Sequence, residues 1–409
     1  MGHGLGTALL AVTVLAALPL SAMPADAVET ASGTAPAHST PSLVWGESLT
    51  YDRDRGLVYN STSTATALWL GLRFQTRYDS NKGSFTTLES LQGPKHSSLD
   101  LKRGRIKGGG ALFADWFTVY SEYDFSSDTL LDFRATATWD GWLSFRGGQW
   151  KSEYNRERVD SSGKQELVER SISNHWFTVD RQLGLSVSPR LAQGTRADTT
   201  LWFELLSGQG RGGTFSNGDS LLLARAQWNP AGEALPFSQA DLKRRQKALP
   251  SIAVAAISGD SPYTRFSSSG GGSLPGYEKG DYRLKQFLFE TAVHYRGLAW
   301  QQELHWKEIK DKREGGTREL WGGYAQLGSF LNEWWSVVPA PLELVGRVSW
   351  VDPDTPGRSD EQREYTVAAN WFFGGHRNKL TFDYSLLDFE EGSASGSENR
   401  WRLQWELSL

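Results

Sequence analysis

The sequence predicts an all-β fold, a transmembrane antiparallel β-barrel of about sixteen strands, and three observations lead there. Large apolar side chains recur at every second position over many stretches, the period of a strand with one oily and one wet face. The alternate face carries charge, which a barrel accommodates around a water-filled interior. Beyond the N-terminus, no apolar run approaches the roughly 20 residues a spanning helix needs. A mean hydropathy of -0.46 over 409 residues fits such a barrel, because only the lipid-facing half of each strand is apolar.

The closing stretch shows the pattern. Trp401, Leu403, Trp405, Leu407 and Leu409 alternate with Arg402, Gln404, Glu406 and Ser408. From 68 to 78 the apolar set is Leu68, Leu70, Leu72, Phe74 and Tyr78, against Trp69, Gly71, Arg73, Gln75 and Arg77. Aromatic residues reach 12%, with 18 Trp, and Trp and Tyr girdle a barrel at both membrane interfaces.

In chain order, residues 1–27 read as a signal peptide, from the apolar run Thr7 to Ala22 and the small-x-small site Ala25-Asp26-Ala27. Its first segment is atypical, holding His3 and no Lys or Arg. Residues 28–60, rich in Ser, Thr, Ala and Pro at first, read as a flexible leader in the periplasm with a short strand at Leu43 to Tyr51. The barrel is expected over 61–409. Its strands are expected at 66–78, 98–108, 114–125, 129–139, 142–150, 182–191, 199–207, 219–229, 249–258, 281–295, 298–310, 317–330, 341–352, 363–373, 377–388 and 399–409. Connections after odd strands include the long stretches 79–97, 151–181 and 259–280, whereas those after even strands are mostly tight, as at Asp140-Gly141, Arg296-Gly297 and Gly374-Gly375. Long outer loops and short inner turns are the asymmetry of an outer-membrane barrel. The stretch 230–248 breaks the rule and reads as a solvated periplasmic turn. Residues 151–181, the longest outer connection, are expected to fold inward and narrow the lumen.

The absence of cysteine excludes disulfides and thiolate chemistry, and a net charge of -4 argues against a nucleic-acid partner. The seven histidines lack HxH or HExxH spacing, and no metal or cofactor is expected. His305 shares an expected lumen face with Glu303 and Lys307, yet no nucleophile is evident beside it, so it reads as a wall residue. Gly208-Gln209-Gly210-Arg211-Gly212-Gly213 lacks the Lys-Ser/Thr ending of a phosphate cradle and reads as hairpin glycines.

Several segments resemble the phosphate-selective porin O and P family. Gly56-Leu57-Val58 with Leu70-Gly71-Leu72-Arg73-Phe74-Gln75 is similar to its opening strand. Leu101-Lys102-Arg103-Gly104-Arg105-Ile106, then Asp115-Trp116 and Glu122-Tyr123-Asp124-Phe125, resemble its basic second strand and the hairpin after it. Gly148-Gln149-Trp150-Lys151, Val168-Glu169-Arg170-Ser171 and Arg181-Gln182-Leu183-Gly184 follow the order of its third-loop region. Asn370-Trp371-Phe372-Phe373, His376-Arg377-Asn378-Lys379-Leu380 and Asp383-Tyr384 resemble its penultimate hairpin. The resemblance implies a sixteen-stranded homotrimeric porin in the outer membrane of a Gram-negative bacterium. It also implies a third loop folded into the lumen and a pore lined by Arg and Lys. Family positions fall on Lys102 and Arg103 as paired basic residues and on Asp132 as the carboxylate near the constriction. The selective loop lysine falls at Gly163, with Lys164 one place later.

The expected function is passive diffusion of small hydrophilic solutes, with a preference for small anions such as phosphate. The expected partners are outer-membrane lipid and like copies. The expected anion path comprises Arg73, Arg77, Lys102, Arg103, Arg134, Arg146, Lys151, Lys164 and Arg170, with Asp132 tempering affinity. Guanidinium and ammonium groups can replace the water an anion sheds. From Leu99 to Lys107 the basic residues Lys102, Arg103, Arg105 and Lys107 face only Asp100, and since neighbours on a strand alternate faces, a bulge or rim position is required. From 67 to 181, however, 16 basic residues nearly balance 15 acidic ones, as in a general diffusion porin. The alternative functions are an outer-membrane barrel enzyme, of phospholipase or protease type, and a secreted soluble β-protein.

Overall fold

The computed structural model describes residues 47–52, 55–83, 95–216, 218–355, 360–391 and 394–409. The expected signal peptide, its cleavage site and the leader as far as 46 lie outside the described residues, as does most of the 79–97 connection. Twenty strands are described. Two lead the barrel, β1 (Glu47–Asp52) and β2 (Gly56–Ser61). Then come β3 (Thr66–Gly83), β4 (Lys95–Leu112), β5 (Ala114–Asp124), β6 (Thr129–Trp139) and β7 (Leu143–Lys151). Next are β8 (Arg181–Leu191), β9 (Thr199–Leu206), β10 (Ser220–Trp228) and β11 (Leu249–Ser261). A small hairpin, β12 (Arg265–Ser267) and β13 (Gly270–Gly272), interrupts the following connection. The series ends with β14 (Tyr282–Tyr295), β15 (Leu298–Asp311), β16 (Thr317–Ser329), β17 (Leu342–Thr355), β18 (Gln362–Phe372), β19 (Asn378–Glu391) and β20 (Ala394–Ser408).

Sixteen of these, β3 to β11 and β14 to β20, form a closed antiparallel barrel, each strand bonded to the next and β20 returning to β3. Closure leaves no open edge along the wall. Tight turns at Asp140-Gly141 and Arg296-Gly297 have positive φ at both residues, the geometry that matches strand twist in a two-residue hairpin. At the seam, Ser408 pairs with Arg73, and Leu72 and Leu409 exchange backbone hydrogen bonds of 2.9 and 2.8 Å. Below that point β3 would have unpaired backbone from Thr66 to Leu70. The β2 strand fills the gap, from Leu57 opposite Leu70 to Ser61 opposite Thr66, and β1 pairs on its far side. Gly56 starts β2 at φ +87, so close to Leu70 that a Cβ would stand 2.4 Å from its carbonyl oxygen.

Burial is inverted relative to a soluble protein. Leu403 is 41% exposed and Trp405 47%, while Arg402 and Glu406 on either side of them are each 1% exposed. Leu70, Leu72 and Phe74 likewise face out while Arg73, Gln75 and Arg77 are buried within. An apolar exterior around a charged interior is the arrangement lipid requires.

The long connection 152–180 turns inward. It carries two short helices, α1 (Arg156–Val159) and α2 (Ile172–Phe177), the latter capped by Ser171 accepting from the Asn174 N–H. Trp176 and Phe177 of α2 are buried with Phe266 and Leu274 of the next infolded loop against Leu206, Leu288, Ile309, Leu320 and Val351 of the wall. Burying a side chain the size of Phe177 contributes about 2 kcal/mol. The lumen thus contains its own apolar core.

The segment 229–248 corrects the sequence reading of a solvated turn. It folds up into the rim that carries the C-terminal residue, burying Leu235, Gln239, Ala240 and Asp241. Asp241 accepts from the backbone N–H of Arg245 and of Gly297 at 3.0 and 2.9 Å. Phe237 lies under Arg156, whose Cζ is 5.1 Å from the ring centroid. Its polar residues divide, Gln239 and Asp241 being buried in contacts within the barrel while Glu233, Lys243, Gln246 and Lys247 stay exposed.

Candidate functional site

The constriction loop is fastened to one half of the barrel by a repeated contact in which a wall carboxylate accepts from a loop backbone N–H. Glu290 of β14 takes Arg156 N at 3.1 Å, Glu303 of β15 takes Glu157 N at 2.7 Å, Glu364 of β18 takes Ile172 N at 3.2 Å and Asp383 of β19 takes Val168 N at 3.0 Å. Side chains reinforce them. Arg225 reaches Glu290 at 2.8 Å, Arg347 reaches Glu364 at 3.1 Å and Arg402 grips both oxygens of Asp383 at 2.8 Å. Buried backbone donors must find acceptors, and charged acceptors make the stronger bonds. These acids are therefore occupied, and their half of the lumen is filled.

Open space along β3 to β8 and around the seam includes two cavities of about 490 and 170 Å³. The larger one is lined by seven basic and three acidic side chains, with Ser267, Ser268 and Ser269 of the β12–β13 hairpin. The smaller one, against β4 to β8, is lined by six basic and three acidic. Lumen-facing neighbours of β4 line different cavities, Arg103 the larger and Arg105 with Lys107 the smaller. Consecutive loop residues divide likewise, Arg158 from Val159, so the cavities abut at that level. The even balance of charge in sequence becomes a basic bias where the lumen is open.

The paired basic residues of β4 owe their placement to a β-bulge. Gln75 pairs with Arg103 and Thr76 with Leu101, leaving Lys102 as the extra residue. Both Lys102 and Arg103 line the larger cavity. Lys102 is exposed and makes no side-chain hydrogen bond or ion pair among the described residues. Arg103 donates to Gln75 and stands 3.9 Å from Glu169.

Other expected path residues serve as fasteners. Arg73 is buried in a two-pronged ion pair with Glu406 and donates to Ser162 of the loop at 3.0 Å. Arg77 donates to Glu169 at 2.6 Å and to Gln404 at 2.9 and 2.8 Å, and it lines the larger cavity. Although burial acts against it, Arg77 and then Arg103 hold the Glu169 carboxyl well below the usual range, so it stays ionised. Lys151 at the end of β7 donates to Asp160 O at 2.8 Å, tying the loop to the wall, and Arg170 donates to Glu157 O and Asp160 O at 2.9 and 2.8 Å, stapling the loop to itself.

Asp132 is not a free carboxylate. It binds Arg181 through Nε and Nη2 at 2.9 and 2.7 Å, with Arg134 at 3.4 Å. Arg134 lies 4.4 Å over the Tyr120 ring and Arg146 pairs with Glu153. Lys164 is exposed on the loop and, among the described residues, makes no side-chain hydrogen bond or ion pair. Gly163, the position of the family's loop lysine, touches Arg73 and Glu406.

The expected path left out Arg105 and Lys107, although both belong to the basic cluster read in the sequence, and Arg181, all in the smaller cavity, as well as Arg158, Arg400 and Arg402 in the larger. Period two along β4 from Arg103 was the available signal for the first pair, and the lumen face of the closing strand for Arg400 and Arg402. His175, also in the larger cavity, adds no charge, because burial and then Arg265 push it down to about 3. His305 is buried, stacked on Phe177 at 5.0 Å between ring centroids, and bonded to Glu303 at 3.1 Å. Its other polar contact among the described residues is Tyr154, at 3.5 Å.

A closed sixteen-strand barrel with apolar exterior and an infolded third loop defines an outer-membrane porin. Residues 72–394 match the model of the family described as phosphate-selective porin O and P, and the chain belongs to that family. It is accordingly a protein of the Gram-negative outer membrane. Among solved structures, it is similar to the anion-selective porin from Comamonas acidovorans, at 8% identity and a TM-score of 0.54, over 84% of this chain and 100% of that one. The outer membrane channel DcaP of Acinetobacter baumannii shares 12% identity at a TM-score of 0.55, over 86% and 99%. A loop L8 deletion mutant of OmpT, an outer membrane protein of Vibrio cholerae, shares 10% at 0.56, over 84% and 100%. At these identities the likeness concerns the fold. No curated protein sequence matches the chain.

Proposed function

We propose that the protein is a passive channel that prefers small anions and acts as a trimer of like copies, exported by way of residues 1–27. The observation that carries this reading is the lining of the open lumen, where basic side chains outnumber acidic ones in both cavities. In a narrow aqueous gap with low-dielectric walls, an excess of fixed positive charge raises the local anion concentration and repels cations. Arg103, Arg105 and Lys107 follow one another along a single strand face at about 7 Å per step, with Arg105 held at 2.7 Å by both Glu122 and Asp124 and so contributing less than its neighbours. Phosphate-sized anions are the first solutes to test. The packing of Gly163 speaks against a dedicated lysine at that site, and a graded ladder suits passage better than tight capture. A catalytic role is disfavoured because His305 is buried between Phe177 and Glu303, with a phenol as its other partner.

The test is the reversal potential in a salt gradient across a planar bilayer. The wild type is expected to favour anions, and replacing Lys102 and Arg103 together by Glu is expected to move the potential toward cations at low salt. A correctly assembled double variant with unchanged selectivity would remove the strand from the ion path and the reading with it.

A further inference from the structure

Where the constriction loop, the infolded 229–248 segment and the wall meet, five buried polar residues form one cluster. The Glu166 N–H donates to Gln239 Oε1 at 2.8 Å. Gln326 Nε2 of β16 donates to Glu166 Oε2 at 2.6 Å and to Gln239 Oε1 at 3.2 Å. Asn370 Nδ2 of β18 donates to Glu166 O at 2.8 Å and to Glu343 Oε2 of β17 at 2.9 Å. Asn370 thus bridges the two acids, and the Glu343 carboxyl is near enough to push the Glu166 carboxyl up. Each nevertheless leaves Oε1 buried with no donor.

Cations do not resolve the clash. The charged groups that face the pair are Lys379 of β19 and Arg244 of the infolded segment. The Lys379 ammonium donates to Gln165 O, and the Arg244 guanidinium to Asp241 O and Ala340 O at 2.9 and 3.1 Å. The remaining neighbours, Gln326 and Asn370, are neutral amides. Two like charges at this separation cannot both ionise cheaply, and a proton between them supplies the missing donor.

We propose that Glu166 and Glu343 share one proton at neutral pH, and that this proton latches the constriction loop and the infolded 229–248 segment to the wall. Burial first, and Glu343 second, hold the Glu166 carboxyl well above the usual range. An acid whose pKa is raised on folding stabilises the fold below that pKa and ceases to as pH rises through it. The latch is therefore closed at neutral pH and opens toward alkaline pH, when the second charge pushes the loop from the wall. This inference needs a conducting barrel and is independent of which ions it prefers.

The experiment is single-channel recording of the whole protein in planar bilayers at fixed salt, from about pH 6 to about pH 9, across the range above ordinary carboxyl values. Open-state current fluctuations of the wild type are expected to grow severalfold toward the alkaline end. Glu166→Gln and Glu343→Gln keep a neutral hydrogen-bonding group in place and are each expected to flatten that response. Glu308→Gln, which removes a half-buried carboxylate paired with the exposed Lys285 at 2.9 Å, is expected to leave it intact. If either glutamine variant of the pair fails to assemble, the other carries the same expectation. A wild type without alkaline noise, or pair variants that retain it, overturns the proposal. So does a chelator that reproduces the response at neutral pH, since a bound cation would then be the latch.

Discussion

Gly163 lies against the guanidinium of Arg73, so tightly that a Cβ added to it would stand 3.0 Å from Arg73 Cζ and 2.8 Å from Glu406 Oε1. The contact puts this part of the loop directly on the barrel seam, where β3 and β20 meet. Any side chain at 163 must displace a buried ion pair or lift the loop.

Gly163→Lys is accordingly expected to lower stability by about 1 to 3 kcal/mol, the usual cost of overpacking, without tightening phosphate binding. Thermal loss of the folded, heat-modifiable band on a gel reads the first effect, and phosphate block of single-channel current reads the second. Full stability combined with tighter block would show that a lysine fits here and that the lumen tolerates the family's usual loop chemistry.

Shortening the constriction loop tests the division of the lumen. Four wall carboxylates hold its backbone, so removal of residues 156–177 frees the β14 to β19 half and should raise single-channel conductance severalfold. A milder probe is Glu303→Ala, which strands the Glu157 N–H, Asn155 Nδ2 at 3.0 Å and His305 at 3.1 Å. Losing that acceptor should cost about 1 to 3 kcal/mol. Conductance unchanged by the excision, in intact channels, would mean that the narrowing lies elsewhere.

The strand scaffold was legible because its signal is local. The period-two pattern places β6 at 129–139, the span it occupies, and β5 within one residue of its end. The break in register at 102 and 103 was legible as either a bulge or a rim position, since adjacent residues alternate faces, and the structure has the bulge. Partner choice was not, because it depends on residues brought together by closure. Arg73 and Glu406 meet across 333 positions and Asp132 and Arg181 across 49. Nothing near Asp132 in sequence announces that its charge is neutralised. The inward fold of 229–248 was hidden for the same reason, as Gln239 and Asp241 find their partners at Glu166, Gln326 and Gly297.

The outward face of the seam yields a test of orientation. Leu403→Arg places a charge against lipid and should cost roughly 2 to 4 kcal/mol if it lies near the midplane. Ser98→Arg places the same group in the larger cavity, where water and Asp100 are at hand. Folding yield into lipid vesicles should fall for the first and hold for the second. Equal yields would reverse the assigned faces.

The last prediction concerns Asp132, which subtracts charge from the smaller cavity at the point where Arg181 and Arg134 converge. Asp132→Asn preserves the size of the side chain and one acceptor oxygen for Arg181 while removing the negative charge. The lining then changes from three acidic groups to two against the same six basic ones, and both guanidiniums present more of their charge to the lumen. Anion preference should increase and phosphate block should lengthen. Because the effect acts through water, it should be strong at about 0.1 M salt, where the screening length is ~10 Å, and fade at 1 M, where it is ~3 Å. Reversal potentials at the two ionic strengths measure this. A shift toward cations in Asp132→Asn would mean that the Asp132–Arg181 pair is needed to hold Arg181 in the passage, so that its structural role outweighs its charge.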